Sequence, residues 1–391
     1  MQTLSPKIAA ECADAVYDVI NPQMASRSSP IRSSPQLERQ FSFRNSPRPV
    51  EGETGGIFGF YTRTTGFAVI GEGQQKFRNS TLIAIRGSST MADYLSDFDV
   101  GISTGINNQS IHSGFEEAFA SMRPAFNDRL AKRLREAGPD HTVHCVGHSL
   151  GGALASLTAD WLKAQFPVKV NLYTFGAPRV GLQGYATKNT NQVDAHFRCT
   201  HGADPVPLAP VWPFIHAPTE GPGEYRLDGA EGISFSAHTM DENGTPGYRN
   251  TATADDWGKL KRQSTRFLNQ PVRLRYEDRL QASFTNYWSE KLNAALITLL
   301  KDAGYYSVVA GQATMSSALT FYDRLAKSLE KIADASTEFA EQTAGLLGHM
   351  LVFAGKVAVT VTKLTYQFIR WVFETTVGAL NRCVKKALET L

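Results

Sequence analysis

Apolar residues follow two alternating patterns along the first two thirds of the chain. Short runs rich in β-branched and aromatic residues predict strands, at residues 66–70, 81–85, 142–146, 168–173 and 193–200. Amphipathic periodicity predicts helices, at residues 8–19, 115–137 and 150–164. Strands that alternate with helices of this length indicate an α/β fold class, with a mostly parallel sheet and helices on both faces. This region is expected to occupy residues 1–262.

The remaining residues, 263–391, predict a separate helical C-terminal region. Amphipathic helices are predicted at residues 289–300, with Ser289 as the N-cap, and at residues 319–333. A longer helix is predicted over residues 346–377, where polar residues occupy one narrow line, at Lys356, Thr360, Lys363, Gln367, Arg370 and Glu374.

The longer helix has two possible environments and one competing signal. It is apolar around most of its circumference, so it would either pack against the α/β core or meet anionic lipid headgroups through Lys356, Lys363 and Arg370. Val357 and Val359 belong to a run in which valine alternates with Ala and Thr, and this spacing favours a strand. The polar line is the longer pattern, and we therefore predict a helix.

Composition and charge narrow the possible partners. With 42% hydrophobic residues among 391, the chain can bury a core over most of its length, which excludes wholesale disorder. The formal net charge of +3 is too small to make nucleic acid the expected partner. Residues 26–49 contain seven Ser, four Pro and five Arg, and this composition predicts a solvated surface loop.

The four cysteines lack the spacing of a disulfide framework or a zinc site, which indicates a reducing compartment. Residues 1–20 carry charges where a secretory signal would be apolar, at Lys7, Glu11, Asp14 and Asp18. We therefore expect a cytoplasmic location in the cell that makes the protein, with a dedicated secretion machine as the route if it acts elsewhere.

The sequence from Gly147 to Gly151 fits the motif G-x-S-x-G between a predicted strand and a predicted helix. A sharp strand-to-helix turn of this kind presents a serine oxygen above the sheet, so Ser149 is the expected nucleophile. His148 is expected to pack beside it at the cleft. The competing interpretation is a glycine-rich turn with a capping serine.

A nucleophilic serine needs a base and an orienting acid, which in this kind of sheet follow it in the order acid, then histidine. Asp204 lies just past a predicted strand, where active-site residues of open α/β sheets collect. His216, His238 and His349 follow it. His238 is preferred, because it lies in a loop after the last sheet elements, whereas His216 is flanked by packed aromatic and proline residues.

The developing oxyanion also needs two donors, one of which is the N–H of Leu150, the residue after the nucleophile. The other is expected where the strand at residues 81–85 stops at Gly87, so that Ser88 would point into the cleft. An ordinary Gly-Ser turn is the alternative at that position.

Six motifs in this order make residues 1–260 resemble the class 3 (fungal-type) lipase family of α/β-hydrolases. They are Arg86-Gly87-Ser88, Tyr94-Leu95-Ser96-Asp97-Phe98, His112-Ser113-Gly114-Phe115, Gly147-His148-Ser149-Leu150-Gly151-Gly152-Ala153-Leu154, Thr174-Phe175-Gly176-Ala177-Pro178-Arg179-Val180-Gly181 and Asp204-Pro205-Val206-Pro207. The resemblance implies Ser149, Asp204 and His238 as catalytic triad, with Ser88 and Leu150 as oxyanion donors. It also implies a lid that contains Tyr94, and no metal or other cofactor.

The expected reaction is hydrolysis of glycerolipids through an acyl-enzyme, with a phospholipid or other glycerolipid as substrate and a membrane surface as partner. A lipid-degrading chain with an extra helical module also resembles the lipase effectors of bacterial type VI secretion, which would add an immunity protein as partner. The alternatives are a soluble esterase of small esters and a membrane-binding or pore-forming protein in which the hydrolase fold is incidental.

Overall fold

A computed structural model of the chain describes residues 2–20, 31–46, 48–55, 62–87, 101–211, 213–219, 224–230, 233–243, 246–263, 272–306, 308–309 and 318–388. Ser88, the expected oxyanion donor, and Tyr94, the expected lid residue, lie outside these residues.

The strands of the described residues include those predicted near residues 66–70, 81–85, 142–146, 168–173 and 193–200, with ends that differ from the predicted ones by a few residues. They are β1 (Phe41–Ser42), β2 (Val50–Gly55), β3 (Thr62–Gly73), β4 (Ser80–Ile85), β5 (Ile102–Thr104), β6 (Ser110–His112), β7 (Thr142–His148), β8 (Lys169–Phe175), β9 (Ala195–His201) and β10 (Tyr225–Asp228).

The helices divide between the α/β region and the C-terminal region. They are α1 (Pro6–Ala15), α2 (Pro35–Gln40), α3 (Ser113–Ala137), α4 (Leu150–Gln165), α5 (Gln183–Gln192), α6 (Tyr248–Thr251), α7 (Trp257–Gln263), α8 (Asn286–Asp302), α9 (Ala318–Ala335), α10 (Thr337–Phe353) and α11 (Tyr366–Leu388). Helix α8 begins three residues before the predicted Ser289, and its N-cap is Thr285, whose hydroxyl accepts from the Trp288 N–H at 3.3 Å.

The main sheet has the strand order β1-β3-β4-β7-β8-β9-β10, and β2 also pairs with β3. Strands β4, β7, β8, β9 and β10 run parallel, whereas β1, β2 and β3 pair in antiparallel fashion. The prediction of an α/β fold with a mostly parallel sheet is therefore confirmed. Because parallel strands end at the same edge, the loops after β4, β7 and β9 converge there.

The segment at residues 26–49 differs from the predicted solvated loop in its described part. Helix α2 and strand β1 lie within it, and β1 pairs with β3. Leu37, Phe41 and Phe43 are buried in the same core cluster as helix α1. Three well-spaced apolar residues were enough to anchor the segment, although its average composition is that of a loop.

The predicted continuous helix at residues 346–377 is wrong. Helix α10 ends at Phe353, and Gly355 adopts a φ of 76° just after it, a left-handed conformation that commonly terminates helices. Residues 354–365 contain no helix, and α11 begins at Tyr366. The strand that the alternating valines favoured does not form either, because residues 354–365 contain only turns and irregular backbone. No helix of the described residues has both the length and the apolarity needed to cross a bilayer.

The C-terminal helices pack on the α/β region. Leu182, Leu208 and Phe214 belong to a core cluster that otherwise consists of residues from the C-terminal region. The last turns of α11 contribute to the main sheet's cluster in return, through Val384 and Leu388. Of the two environments considered for the C-terminal region, the described residues show packing against the α/β core.

The contact between α10 and the backbone at Leu274 gives a test of the packing within the C-terminal region. A Cβ at Gly345 would collide with the Leu274 carbonyl oxygen, so Gly345→Ala is expected to lower the free energy of unfolding by about 1–3 kcal/mol. At Gly378, within α11, a Cβ would meet only Arg382 Nη1, at 3.4 Å, and Ala should be neutral or stabilising by up to about 1 kcal/mol. Urea unfolding of both variants makes the comparison, and equal stabilities would contradict it.

Candidate active site

Ser149 occupies the sharp turn between β7 and α4. Its φ of 57° and ψ of −131° are strained for a residue with a side chain. A Cβ at Gly147 would collide with the Gly151 carbonyl, and one at Gly151 with the Ile85 carbonyl, so both flanking positions of the motif require glycine. The Ser149 N–H donates to the Phe175 carbonyl at 2.9 Å, which fixes the turn to the end of the neighbouring strand.

Ser149, His238 and Asp204 form one hydrogen-bonded chain. His238 Nε2 lies 2.9 Å from Ser149 Oγ, and His238 Nδ1 lies 3.0 Å from each carboxylate oxygen of Asp204. All three residues are fully buried. With the carboxylate accepting the Nδ1 proton, Nε2 is left free to accept the proton of the serine hydroxyl.

The buried Asp204 carboxylate is held by two further donors. Tyr248 Oη donates to one oxygen at 2.7 Å, and the Val206 N–H donates to the other at 2.9 Å. Gly176 lies against this group with a φ of 54°, and a Cβ there would sit 2.7 Å from Asp204 Oδ2. These contacts supply the hydrogen bonds that a buried carboxylate requires.

The C-terminal region also contacts the acid's loop. Asn286, the first residue of α8, donates from Nδ2 to the backbone carbonyl of Asp204 at 2.9 Å, and both residues are buried. On the other side, Lys386 of α11 lies over the ring of Phe235, 5.0 Å from its centroid and just before the turn that carries His238. Elements outside the predicted α/β region therefore hold the loops of both the acid and the base.

His148 packs beside the triad, with its ring centroid 4.8 Å from that of His238. It is fully buried, and its Nε2 lies 2.7 Å from the His238 carbonyl oxygen while its Nδ1 lies 2.7 Å from Tyr17 Oη. Tyr17 Oη in turn accepts from the Gly87 N–H at 3.1 Å. Burial, with the neighbouring His238 as a smaller cause, places the pKa of His148 well below its usual value, so the ring stays neutral and positions the base's backbone.

His201 supports the same loops and was not singled out from the sequence. Its ring stacks on Tyr248 with 3.9 Å between centroids, and its Nδ1 lies 2.6 Å from the Ala237 carbonyl oxygen. Its Nε2 lies 2.8 Å from Thr251 Oγ1. Burial lowers the pKa of this histidine. Its position immediately before the loop of Asp204 is a sequence signal for this role. Tyr17 and Asn286, in contrast, have no sequence signal that links them to Ser149.

The remaining candidate histidines lie elsewhere. His216 Nε2 bonds to the Pro207 carbonyl at 2.7 Å, as expected of a wall residue. His349 lies on α10, bonded to the Gly345 carbonyl and stacked on Trp288. Among the described residues, no group of three His, Cys, Asp or Glu side chains is arranged to hold a metal ion.

The three cations expected at a membrane have different surroundings. Lys356 and Lys363 are exposed on the connection between α10 and α11. Arg370 lies within α11 and forms ion pairs with Asp323, at 3.2 Å, and with Glu374, at 2.9 Å. These two ion pairs connect α11 to α9 and to its own next turn.

A serine on a strand-to-helix turn at the carboxyl edge of a mostly parallel sheet, beside a histidine from a later loop, defines an α/β-hydrolase fold. Residues 82–214 match the sequence model of the family described as Lipase (class 3). Over this segment the chain is similar to the class 3 lipases.

Individual relatives agree with the family match. The secreted mono- and diacylglycerol lipase 1 of Fusarium solani is 36% identical over 156 residues, which are 39% of this chain and 45% of the relative. The secreted alkaline triacylglycerol lipase of Penicillium cyclopium is 30% identical over 174 residues, 42% of this chain and 60% of the relative. The chain therefore spans only about half the length of the curated relatives it matches.

Among solved structures, the Lip2 lipase of Yarrowia lipolytica is similar with a TM-score of 0.42 and 20% identity, over 57% of this chain and 77% of that one.

The expected cytoplasmic location is wrong, because the matched relatives from Fusarium and Penicillium are named secreted lipases and point to an extracellular location. The lack of paired cysteine spacing does not indicate a reducing compartment, for a physical reason. Cys12, Cys145, Cys199 and Cys383 are all buried and unpaired, and burial raises the pKa of each thiol. Thiols buried in a core remain free in an oxidising compartment as well as in a reducing one.

The hydroxyl of Tyr248 provides a test of the support for Asp204. Tyr248→Phe removes one donor from a fully buried carboxylate and is expected to lower the free energy of unfolding by about 1–3 kcal/mol. Tyr225→Phe is the matched control, because no described residue bonds to its hydroxyl, and it should change stability by less than about 0.5 kcal/mol. Denaturant unfolding measures both, and an equal loss in the two variants would contradict the assignment.

Proposed function

We propose that the chain is a serine carboxylic-ester hydrolase that acts on glycerolipids. The observation that carries this proposal is the buried hydrogen-bonded chain from Ser149 through His238 to Asp204. Ser149 has a base on its hydroxyl, and the base has an acid on its other nitrogen, which is the arrangement that activates a serine.

The proposed reaction proceeds through an acyl-enzyme. Ser149 Oγ attacks the ester carbonyl while His238 Nε2 takes its proton, and Asp204 holds the imidazole in the required tautomer and stabilises the imidazolium. His238 then gives the proton to the leaving alcohol. Water, activated by the same base, releases the acyl group as a carboxylic acid.

The oxyanion of each tetrahedral intermediate needs preorganised donors. We assign this role to the Leu150 N–H and to Ser88. Leu150 is the first residue of α4, so the positive end of the helix dipole points at the position where negative charge develops. Full burial of Ser149 strengthens these interactions, because no water screens them.

The choice of glycerolipids follows the relatives, which are named as mono- and diacylglycerol or triacylglycerol lipases. Because Ser149 and His238 are fully buried, an ester reaches them only after the residues that cover them move. A cleft that opens at a lipid surface suits a lipid substrate better than a small soluble ester.

Ser149→Ala tests the reaction directly. It is expected to lower the rate of ester hydrolysis by a factor of ~10⁴ or more, because the oxyanion donors and binding alone remain. Ser156→Ala is the matched control, since Ser156 lies on the same helix and donates to the Gly152 carbonyl, not to the triad. Full activity in Ser149→Ala would overturn the proposal.

Mass spectrometry of mixed-lipid liposomes and emulsified acylglycerols distinguishes the finer functions. Lysophospholipid that appears only with the wild type would establish phospholipase action, and fatty acid from acylglycerol alone would establish a plain lipase. Activity confined to water-soluble esters would favour an esterase. Liposome leakage that persists in Ser149→Ala would favour a membrane-active protein with an incidental hydrolase fold. An antibacterial effector, with its inhibitor partner, requires toxicity that depends on Ser149.

We also propose that Lys356 and Lys363 bring the protein to anionic membranes. Both are exposed, and the connection that carries them exposes Val357 as well, with 53% of its surface accessible. Trp371, on the following helix, is 39% exposed. A short exposed stretch that combines cations with apolar side chains suits a lipid interface.

Reversing the charges of Lys356 and Lys363 tests membrane binding separately from ester hydrolysis. The double variant Lys356→Glu/Lys363→Glu is expected to weaken binding to anionic liposomes by a factor of ~10 or more and to slow hydrolysis there, because each cation contributes about 1 kcal/mol at an anionic surface. Hydrolysis of a soluble short-chain ester should not change. Lys132→Glu/Lys331→Glu, at two other exposed positions, is the control. Equal liposome binding by the two double variants would contradict the proposal.

A further inference from the structure

The backbone carbonyl of Asp204 begins a turn that cannot satisfy it locally. Pro205 has helical backbone angles, with a φ of −78° and a ψ of −18°, and Val206 is the first residue of a short 3₁₀ helix. In such a turn the first carbonyl accepts a hydrogen bond from the N–H three residues on. That residue is Pro207, which has no N–H. The sequence Asp-Pro-Val-Pro therefore leaves the Asp204 carbonyl without the donor that its own turn would otherwise supply.

The next N–H groups along the chain are bonded elsewhere. The Leu208 N–H donates to the Pro205 carbonyl at 3.1 Å, and the Ala209 N–H donates to the Val206 carbonyl at 3.0 Å. Asp204 is fully buried, so its carbonyl cannot rely on bulk water in their place. A donor from another part of the chain is therefore required.

Asn286 supplies this donor from the C-terminal region. Its Nδ2 donates to the Asp204 carbonyl oxygen at 2.9 Å, and the residue is only 5% exposed. No described residue donates to its Oδ1, although that atom is buried. An unsatisfied buried amide oxygen is unfavourable, so packing alone would favour an apolar residue at this position. The bond to Asp204 is the contact that accounts for the amide.

The start of helix α8 holds Asn286 in place. The Thr285 hydroxyl caps the helix by accepting from the Trp288 N–H, and the indole of Trp288 stacks on His349 of α10 with 5.3 Å between centroids. Leu208, in the turn that the carbonyl begins, belongs to the same apolar cluster as Trp288. The donor and the turn that carries the acceptor are therefore both anchored by packing, which a precise contact needs.

We propose that Asn286 is a positioning residue of the active site, which acts through Asp204 to align His238. The Asp204 carboxylate lies 3.0 Å from His238 Nδ1, and the Val206 N–H holds the same carboxylate at 2.9 Å. A rotation of this turn would change both contacts, and the bond from Asn286 opposes such a rotation. Because the aligned imidazole transfers the proton in each step, the effect belongs to turnover and not to substrate binding. The inference rests on the proposed hydrolase reaction.

Asn286→Leu tests this role, because it keeps a side chain of similar size but removes the donor. With a soluble short-chain ester, kcat is expected to fall by a factor of ~10–100, the effect of a misplacement of about 1 Å, while KM changes by less than a factor of ~3. Asn293→Leu is the matched control, since it makes the same change two turns later on α8 and should retain kcat. An unchanged kcat in Asn286→Leu, an equal loss in the control or an effect confined to KM would overturn the proposal.

Pro207→Ala provides a rescue, because it restores an N–H at the position where the turn lacks one. The factor by which Asn286→Leu lowers kcat should be at least ~3-fold smaller in the Pro207→Ala background than in the native background. Equal factors in the two backgrounds would overturn the proposal, because the Asp204 carbonyl would not be the group through which Asn286 acts.

Near-ultraviolet circular dichroism checks that each variant is folded. Asn286→Ala replaces Asn286→Leu if the latter does not fold, and failure of both to fold would overturn the proposal, since the amide would then serve the fold and not the site. Ser149→Ala separates this role from the reaction itself. Equal hydrolysis by the native chain and Ser149→Ala would contradict the proposed function and the role of Asn286 with it. Hydrolysis that depends on Ser149 but not on Asn286 would contradict the positioning role alone.

Discussion

Burial of the Asp204 carboxylate is the constraint around which the site is arranged. A carboxylate without solvent must receive hydrogen bonds from the protein, and those bonds come from separate parts of the chain. His238, Tyr248 and the Val206 N–H bond to the carboxylate, while Asn286 bonds to the backbone carbonyl of the same residue. The acid therefore orients the base and also fixes where the C-terminal region meets the sheet.

The C-terminal region is part of the support of the catalytic loops and not an independent appendage. Asn286 bonds to the loop of the acid, and Lys386 lies over Phe235 beside the turn of the base. Val384 and Leu388 complete the core cluster that also contains Leu150. A boundary near residue 262 marks a change of sequence pattern, whereas the packing continues across it.

The fold could be predicted from local sequence patterns, whereas the long-range contacts of the site could not. The strands, the helices beside them and the Ser149 turn follow from periodicity and glycine placement, because these are properties of neighbouring residues. The break after Phe353 does not follow from the polar line, because that pattern carries no information on Gly355, whose left-handed backbone ends helix α10. The roles of Tyr17 and Asn286 depend on contacts across 131 and 82 residues, which no single sequence pattern encodes.

The four buried thiols have a practical consequence. Each cysteine is buried and has a raised pKa, so little thiolate is available to react with an added electrophile. A cysteine introduced at an exposed position, such as Val357, would then be the preferred target of a maleimide dye in the otherwise native chain. Fluorophores or spin labels can be attached one at a time without first replacing the natural cysteines.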